Sequence, residues 1–445
     1  MTVGQAFDLV FGPDAPVRLV AWDGSTGGSP DGLVMRMTNP DALNHFLTGG
    51  SELGLARAYL LGDLVIDGID EADPYDVLRL VSDGLPMRRQ SVREAAELAQ
   101  FVAHHRPRTP RLPREETPSQ LHRMARGLRH ARGRDAAAIS HHYDVSNTFY
   151  ERVLGPSMTY TCACFPTEGA SLEEAQAYKY DLVAQKLGLQ PGMRLLDVGC
   201  GWGGMVRHAV KHYGVTAIGV TLSREQASWA QAAIAADGIA DRAQVRHGDY
   251  RDVTERGFDA ISSIGLTEHI GVRNYPSYFR FLRERLRDEG RLLNHCITRP
   301  DNRHDGLPSR GFINRYVFPD GELTGSGHIV RVMEDEGFEV RHHENLREHY
   351  ARTCAAWNAN LSKHWDECVE LAGLGTARVW GLYLAGSRLG FERNGIQLHQ
   401  VLASRTSTEG RSGFPLRPRV EPSEAGQTGR TGQTRGDGRD GQADA

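Results

Sequence analysis

An α/β architecture, in which a smaller α+β unit precedes a doubly wound and mostly parallel sheet, is predicted by three features of the chain. The apolar run Arg194-Leu195-Leu196-Asp197-Val198 passes straight into a turn with four glycines in six residues, Gly199-Cys200-Gly201-Trp202-Gly203-Gly204, and then into a helical pattern over 205–213. Strand-like runs recur at 194–198, 215–221, 243–247, 258–264 and 290–297 with helical stretches between them, the alternation of βα units. The 445 residues, 40% hydrophobic and 24% charged, are enough for more than one domain with a sizeable core.

Residues 1–86 read as the smaller unit. Strands are expected at 17–22 and 32–37 with an Asp23-Gly24 turn between them, and helices around 41–46, 51–61 and 74–81. No acid–base pair or nucleophile set stands out there. Between Pro86 and Arg134 the composition shifts to twelve arginines, no lysine and four carboxylates, with prolines at 107, 110, 113 and 118. The stretch 87–134 is thus an Arg/Pro-rich linker. It is either a solvated connection with helical ends or a basic face for anionic lipid headgroups, where each basic residue is worth about 1 kcal/mol. Nucleic acid is the poorer partner, because Phe101 stands alone and no aromatics are interleaved to stack bases.

Residues 135–404 form the main domain. His141-His142-Tyr143-Asp144 precedes a helix at 148–154, the polar-aromatic stretch 157–165 follows, and a helix at 172–187 leads into the glycine turn. The segment Tyr316-Val317-Phe318-Pro319-Asp320-Gly321 lies where a substrate cover would sit. A helix and strand within 379–401 close the domain. The tail 405–445, rich in Gly, Arg, Thr and Asp, is expected to be disordered.

Glycines let the backbone approach a ligand, and the helix behind them offers unpaired N–H groups. A dinucleotide site calls for G-x-G-x-x-G and an acidic residue ending the second strand. Here the turn is G-x-G-x-G-G, and that strand ends in Thr221-Leu222-Ser223. Asp197 just before the turn suits a ligand with an ammonium group, such as the methionine moiety of S-adenosylmethionine. Asp249, at a third strand end, is placed to accept from an adenine amino group. The pattern favours a methyl donor over NAD. Farther on, Glu268 follows the fourth strand and His295 lies near the carboxyl end of the fifth, so both are predicted to face one cleft beside the cofactor.

The formal net charge is −4, no apolar run reaches membrane-spanning length, and the N-terminus lacks the order of a signal peptide. The expectation is a cytoplasmic protein resting on the inner face of the membrane. Six cysteines lack paired metal spacings, so no metal site is expected.

With these residues in view, the chain resembles the cyclopropane-fatty-acyl-phospholipid synthase family, S-adenosylmethionine-dependent methyltransferases with a Rossmann-like class I fold. The matching residues are His142-Tyr143-Asp144, Tyr160-Thr161-Cys162-Ala163, Leu195 through Gly203, Gly219-Val220-Thr221-Leu222-Ser223-x-x-Gln226, Asp249-Tyr250-Arg251-Asp252, Glu268-His269-x-Gly271, Tyr316-x-Phe318-Pro319-x-Gly321, His349-Tyr350 and Ile396-Gln397-Leu398-x-Gln400. The first unit resembles, with weaker marks, the lipid-binding domain of longer bacterial members. Stretches 155–164 and 270–275 look nearest to an actinobacterial branch, some of whose members make 10-methylene acyl chains. The resemblance implies methyl transfer to the double bond of an unsaturated phospholipid acyl chain, leaving a carbocation from which a bound bicarbonate removes a proton. It places that base among Cys162, Glu268, His295, Ile297 and Tyr350. It places the cofactor against Tyr160, Thr161, Gly199, Gly201, Thr221, Leu222, Gln226, Asp249 and Tyr250, with Asp197 and Gly203 added from the turn itself. A homodimer is implied, as is a separate reductase if the product is a methylene. Ser387 departs from a cysteine that many members carry, which methyl transfer from a sulfonium does not require. The rival readings are a lipid-active NAD-dependent oxidoreductase and a non-catalytic lipid-binding protein on the same fold.

Overall fold

The structure is a computed structural model that describes residues 1–85, 87–116, 146–303, 311–319 and 321–417. The motif His142-Tyr143-Asp144, Asp320, residues 117–134 of the linker and residues 418–445 of the tail lie outside the described residues.

The first unit begins with the helix Val3–Phe11, started by a reciprocal capping box between Thr2 and Gln5. Its sheet holds β1 (Val17–Val20), β2 (Thr26–Gly28), β3 (Leu33–Met37) and β4 (Leu64–Ile66) in the order β2-β1-β3-β4. The Asp23-Gly24 turn does not join β1 directly to β3. It folds β1 back on β2, and β3 then runs parallel to β1. Two of the three β2 residues are glycine, which carries little strand propensity, so no periodicity marks it. Helices Pro40–Gly49, Ser51–Leu61 and Tyr75–Gly84 complete the unit, and Val92–His105 extends into the basic stretch with a capping box of Ser91 and Glu94.

The main sheet contains β5 (Arg194–Val198), β6 (Thr216–Thr221), β7 (Ala243–His247), β8 (Phe258–Ile264), β9 (Leu286–Thr298), β10 (Glu339–Asn345) and β11 (Gln397–Ser404) in the order β10-β11-β9-β8-β5-β6-β7. Strands β5 to β9 are parallel, and β11 and β10 add an antiparallel edge. From β5 the chain runs outward through β6 and β7, then crosses to β8 and β9 on the other side. The carboxyl end of β5 is therefore the switch point where an open α/β sheet binds its ligand. β9 starts earlier than the apolar run at 290–297 suggests, because Leu286 pairs with Phe258 ahead of a register shift.

The first unit shares a core with the main domain. Its buried Leu53, Tyr59 and Ala72 belong to the same apolar cluster as Trp357, Trp380 and Leu384. Asn358 Nδ2 donates to the Ala72 carbonyl at 2.7 Å, and Arg378 pairs with Glu71. Glu116, from the basic stretch, is 1% exposed and accepts from Arg57 at 2.6 Å, from Arg315 and from the Tyr316 hydroxyl at 3.0 Å. One carboxylate thus ties the first unit to the segment predicted as a cover, whose first residues Tyr316 and Val317 end the single π-helical stretch Ile313–Val317.

Candidate active site

β5 delivers Asp197 to the switch point 2% exposed, with Ser262 Oγ donating to Oδ1 at 2.6 Å. Burial pushes its carboxyl up to about 6, opposed by that hydrogen bond and by Lys179. Lys179 is fully buried. Its ammonium donates to Thr161 Oγ1 at 3.0 Å and lies 4.0 Å from the Tyr180 ring centre, while burial pulls its pKa down to about 8. A polar cluster of Asp197, Ser262, Lys179 and Thr161 therefore sits beneath the glycine turn.

The glycines of the turn serve different ends. Gly201 has φ +52°, and a Cβ there would meet nothing within 4 Å, so the backbone faces open space where a ligand would approach. At Gly204 a Cβ would lie 2.1 Å from the Tyr180 hydroxyl, so that glycine is needed for helix packing. At the end of β6, Thr221 Oγ1 donates to Gln226 Oε1 at 2.7 Å, and both are buried beside the half-buried Leu222. Asp249, two residues past the end of β7, has both carboxylate oxygens engaged by Arg251, its backbone N–H at 2.9 Å and its guanidinium at 3.0 Å. An adenine amino group would thus use the remaining lone pairs of a carboxylate already held in place. Tyr250 packs edge-on against Tyr278 and Phe281.

Across β8 the second half of the site assembles. The Ile297 N–H donates to Glu268 Oε1 at 2.7 Å, which brings Glu268 against β9 two residues from His295. Glu268 Oε2 is buried with no hydrogen-bond partner among the described residues, and so is His295 Nε2. Burial pushes the Glu268 carboxyl up to about 7 and holds His295 well below the usual imidazole range. An acid poised near neutrality and a neutral imidazole thus each keep a buried polar atom that a hydrogen-bonding ligand could satisfy. Tyr350, 7% exposed, stacks on Phe391 at 4.4 Å, and its electrostatic neighbours include Tyr383, Cys162 and Glu268. Cys162 is fully buried, and burial raises its thiol well above the usual range, so it is a weak donor and not a thiolate.

Aromatic rings link the two halves. Tyr160 lies 5.4 Å from Trp357 and 5.6 Å from Trp380, and its hydroxyl donates to Tyr383 at 3.0 Å. Tyr150 bridges Trp202 of the turn, at 4.9 Å, to Trp380 at 5.5 Å. Phe318 of the cover meets Tyr383 at 5.8 Å. The roles of Trp357, Trp380, Tyr383 and Lys179 carry no local signature. Lys179 does fall on the buried stripe of its helix, with Leu172, Ala175, Gln176 and Val183, and that position is the one signal that separates it from a surface lysine. Ser387 is half-buried on the helix Leu374–Glu392. A cavity of about 400 Å³ lined by Arg194, Thr216, Gln231 and Arg242 opens at the amino ends of β5 and β6, away from all these groups.

A doubly wound sheet with a glycine turn at its switch point and a carboxylate buried behind it defines a class I methyltransferase. Residues 130–401 match the family described as Mycolic acid cyclopropane synthetase. The chain is 54% identical over 410 residues to a probable fatty acid methyltransferase of Mycobacterium tuberculosis, covering 92% of this chain and 95% of that protein. It is 31% identical over 373 residues to the cyclopropane-fatty-acyl-phospholipid synthase of Escherichia coli, covering 83% and 87% respectively. The crystal structure of mycolic acid cyclopropane synthase CmaA1 complexed with SAH and CTAB aligns with a TM-score of 0.57 at 34% identity, over 60% of this chain and 97% of that one. The chain belongs to the mycolic acid cyclopropane synthetase family of S-adenosylmethionine-dependent fatty acid methyltransferases.

Proposed function

We propose that the protein adds one carbon to the double bond of an unsaturated acyl chain carried on a phospholipid, yielding a cyclopropane or a 10-methylene chain. The carrying observation is the pair of unpartnered buried polar atoms, Glu268 Oε2 and His295 Nε2, together with the run of rings from Tyr350, an electrostatic neighbour of Glu268, through Trp357, Tyr160 and Tyr150 to Trp202 of the glycine turn. S-adenosylmethionine, when bound, supplies a sulfonium methyl. Asp197 receives its ammonium group, and the turn at Gly199, Gly201 and Gly203 lets the backbone reach it. Thr221, Leu222, Gln226, Asp249 and Tyr250 would hold the rest, with Tyr160 and Thr161 as further contacts.

The chain's own residues handle charge and proton. The faces of Tyr160, Trp357, Trp380 and Tyr383 favour positive charge on the acyl chain through cation–π attraction and keep water away from it. Glu268, His295, the Ile297 backbone, Cys162 and Tyr350 would hold a bicarbonate, which would supply a proton acceptor there. The carboxylate of Glu268 would accept an O–H there, and His295 Nε2 would donate a hydrogen bond. Whether the proton leaves the new methyl or a neighbouring chain carbon selects between the two products.

The first unit and the basic stretch are proposed to seat the protein on the inner face of a membrane. Among the described residues no helix is long and apolar enough to cross one. A homodimer, and a separate reductase acting on a methylene product, complete the proposal. Mass spectrometry of lipids from cells expressing the protein is the test. A gain of one CH2 in unsaturated phospholipids, located by fragmentation, is expected; no such gain in any unsaturated lipid overturns the reading.

A further inference from the structure

Three strands carry a row of polar side chains across one face of the sheet. Glu344 on β10 pairs in register with Gln400 on β11, and Gln400 pairs with His295 on β9. Directly paired residues point to the same face, so the three side chains lie side by side. Over them lies Lys186 of the helix Leu172–Leu187, with its side chain wholly buried. Lys186 Nζ donates to the Glu344 carboxylate and, at 2.6 Å, to Gln400 Oε1. Gln400 Nε2 then lies 3.2 Å from His295 Nδ1.

The chemistry of these groups fixes where each hydrogen goes. An ammonium has three donors and no lone pair, so it takes only the oxygen end of the Gln400 amide. The ion pair with Glu344 keeps Lys186 protonated against the burial that draws its pKa down. With Oε1 committed to Lys186, the NH2 end of Gln400 must face His295. A proton on Nδ1 would set donor against donor in a fully buried site, so Nδ1 is the acceptor and the imidazole hydrogen sits on Nε2. That is the nitrogen with no other partner among the described residues.

We propose that Gln400, oriented by the Lys186–Glu344 ion pair, is a positioning residue that locks His295 in the Nε2–H tautomer and so aims a hydrogen-bond donor at the bound anion. An amide cannot pass a proton along this row, so its part is orientation and not proton transfer. The identity of the anion rests on the function proposed above; the tautomer does not.

Nitrogen-15 NMR of the full chain labelled in histidine tests it, the His295 signals being assigned by their loss in His295→Asn. Native protein is expected to show His295 with a bare, strongly deshielded Nδ1 and a protonated Nε2. In Gln400→Glu both oxygens accept, one from Lys186 and one facing Nδ1, so the tautomer inverts and Nε2 turns a lone pair toward the anion. Turnover on vesicles of unsaturated phospholipid is then expected to fall about 10- to 100-fold, the worth of one hydrogen bond to a charged group. Gln400→Met, uncharged and of similar length, is expected to leave the two tautomers mixed, which keeps the test open should the Glu variant not fold. A native Nδ1–H signal overturns the proposal, and so does an inverted tautomer with unchanged turnover. Failure of the function itself would appear separately, as no CH2 gain in lipid while the native tautomer is as stated.

Discussion

Replacing Glu268 by Gln separates what this side chain does for the reaction from what it costs the fold. The amide keeps an oxygen for the Ile297 N–H but carries no charge. Burial raises the native carboxyl from the usual 4.5 to about 7. Between those values the native chain holds a proton that the unfolded chain has released. Stability is therefore highest below pH 4.5 and falls as pH climbs through the window to about 7. At 1.36 kcal/mol per pH unit the full loss is roughly 3 kcal/mol, most of it between pH 5 and 8. The Gln variant has no such loss. Relative to the native protein it should gain about 2–3 kcal/mol on going from pH 5 to pH 8, read from urea unfolding at each pH. The comparison of two pH values cancels the fixed penalty of leaving an amide NH2 unpaired. At pH 8 the same variant should turn over about 10- to 100-fold more slowly, having lost the charged acceptor proposed for the anion. Cofactor affinity, measured by calorimetry, should not change. A stability difference that is flat with pH would refute the buried-carboxylate argument, and undiminished turnover would remove Glu268 from the site.

Two further substitutions probe the rest of the frame. Asp197→Asn keeps shape and an acceptor for Ser262 but removes the charge proposed to face the cofactor's ammonium, so S-adenosylmethionine should bind about tenfold or more weakly; equal affinity by calorimetry would contradict the assignment. Glu116→Gln leaves Arg57 and Arg315 without their shared buried counter-charge and should lower unfolding stability by about 3–5 kcal/mol. An unchanged melting temperature would mean that this carboxylate does not tie the first unit to the cover.

Local patterns explain how far linear reading reached. The run into Asp197, the glycine turn and the helix after it are adjacent in sequence, and β5 and the helix Gly204–Tyr213 form where composition alone indicates. The helix Leu172–Leu187 matches its expected bounds because Ser171 and Glu174 form a capping box and Gly188 ends it in the left-handed region. β10 escaped notice because Glu339-Val340-Arg341-His342-His343-Glu344-Asn345 alternates poorly; it is an edge strand held by pairing with β11. The short β2 escaped for want of side chains, and with it the parallel pairing of β1 and β3.

What the linear chain determined by itself was the class of sheet, the ligand turn and the residue types at the strand ends, since each is encoded by neighbours within a few positions of one another. Tertiary structure alone decided which partners Lys179 and Lys186 meet inside, that Trp357, Trp380 and Tyr383 gather around Tyr160, and that Glu344, Gln400 and His295 stand in one row. These residues come from segments up to about two hundred positions apart. Their charge state, hydrogen placement and orientation are set by burial and by partners that strand register brings alongside, and neither quantity exists before the sheet closes.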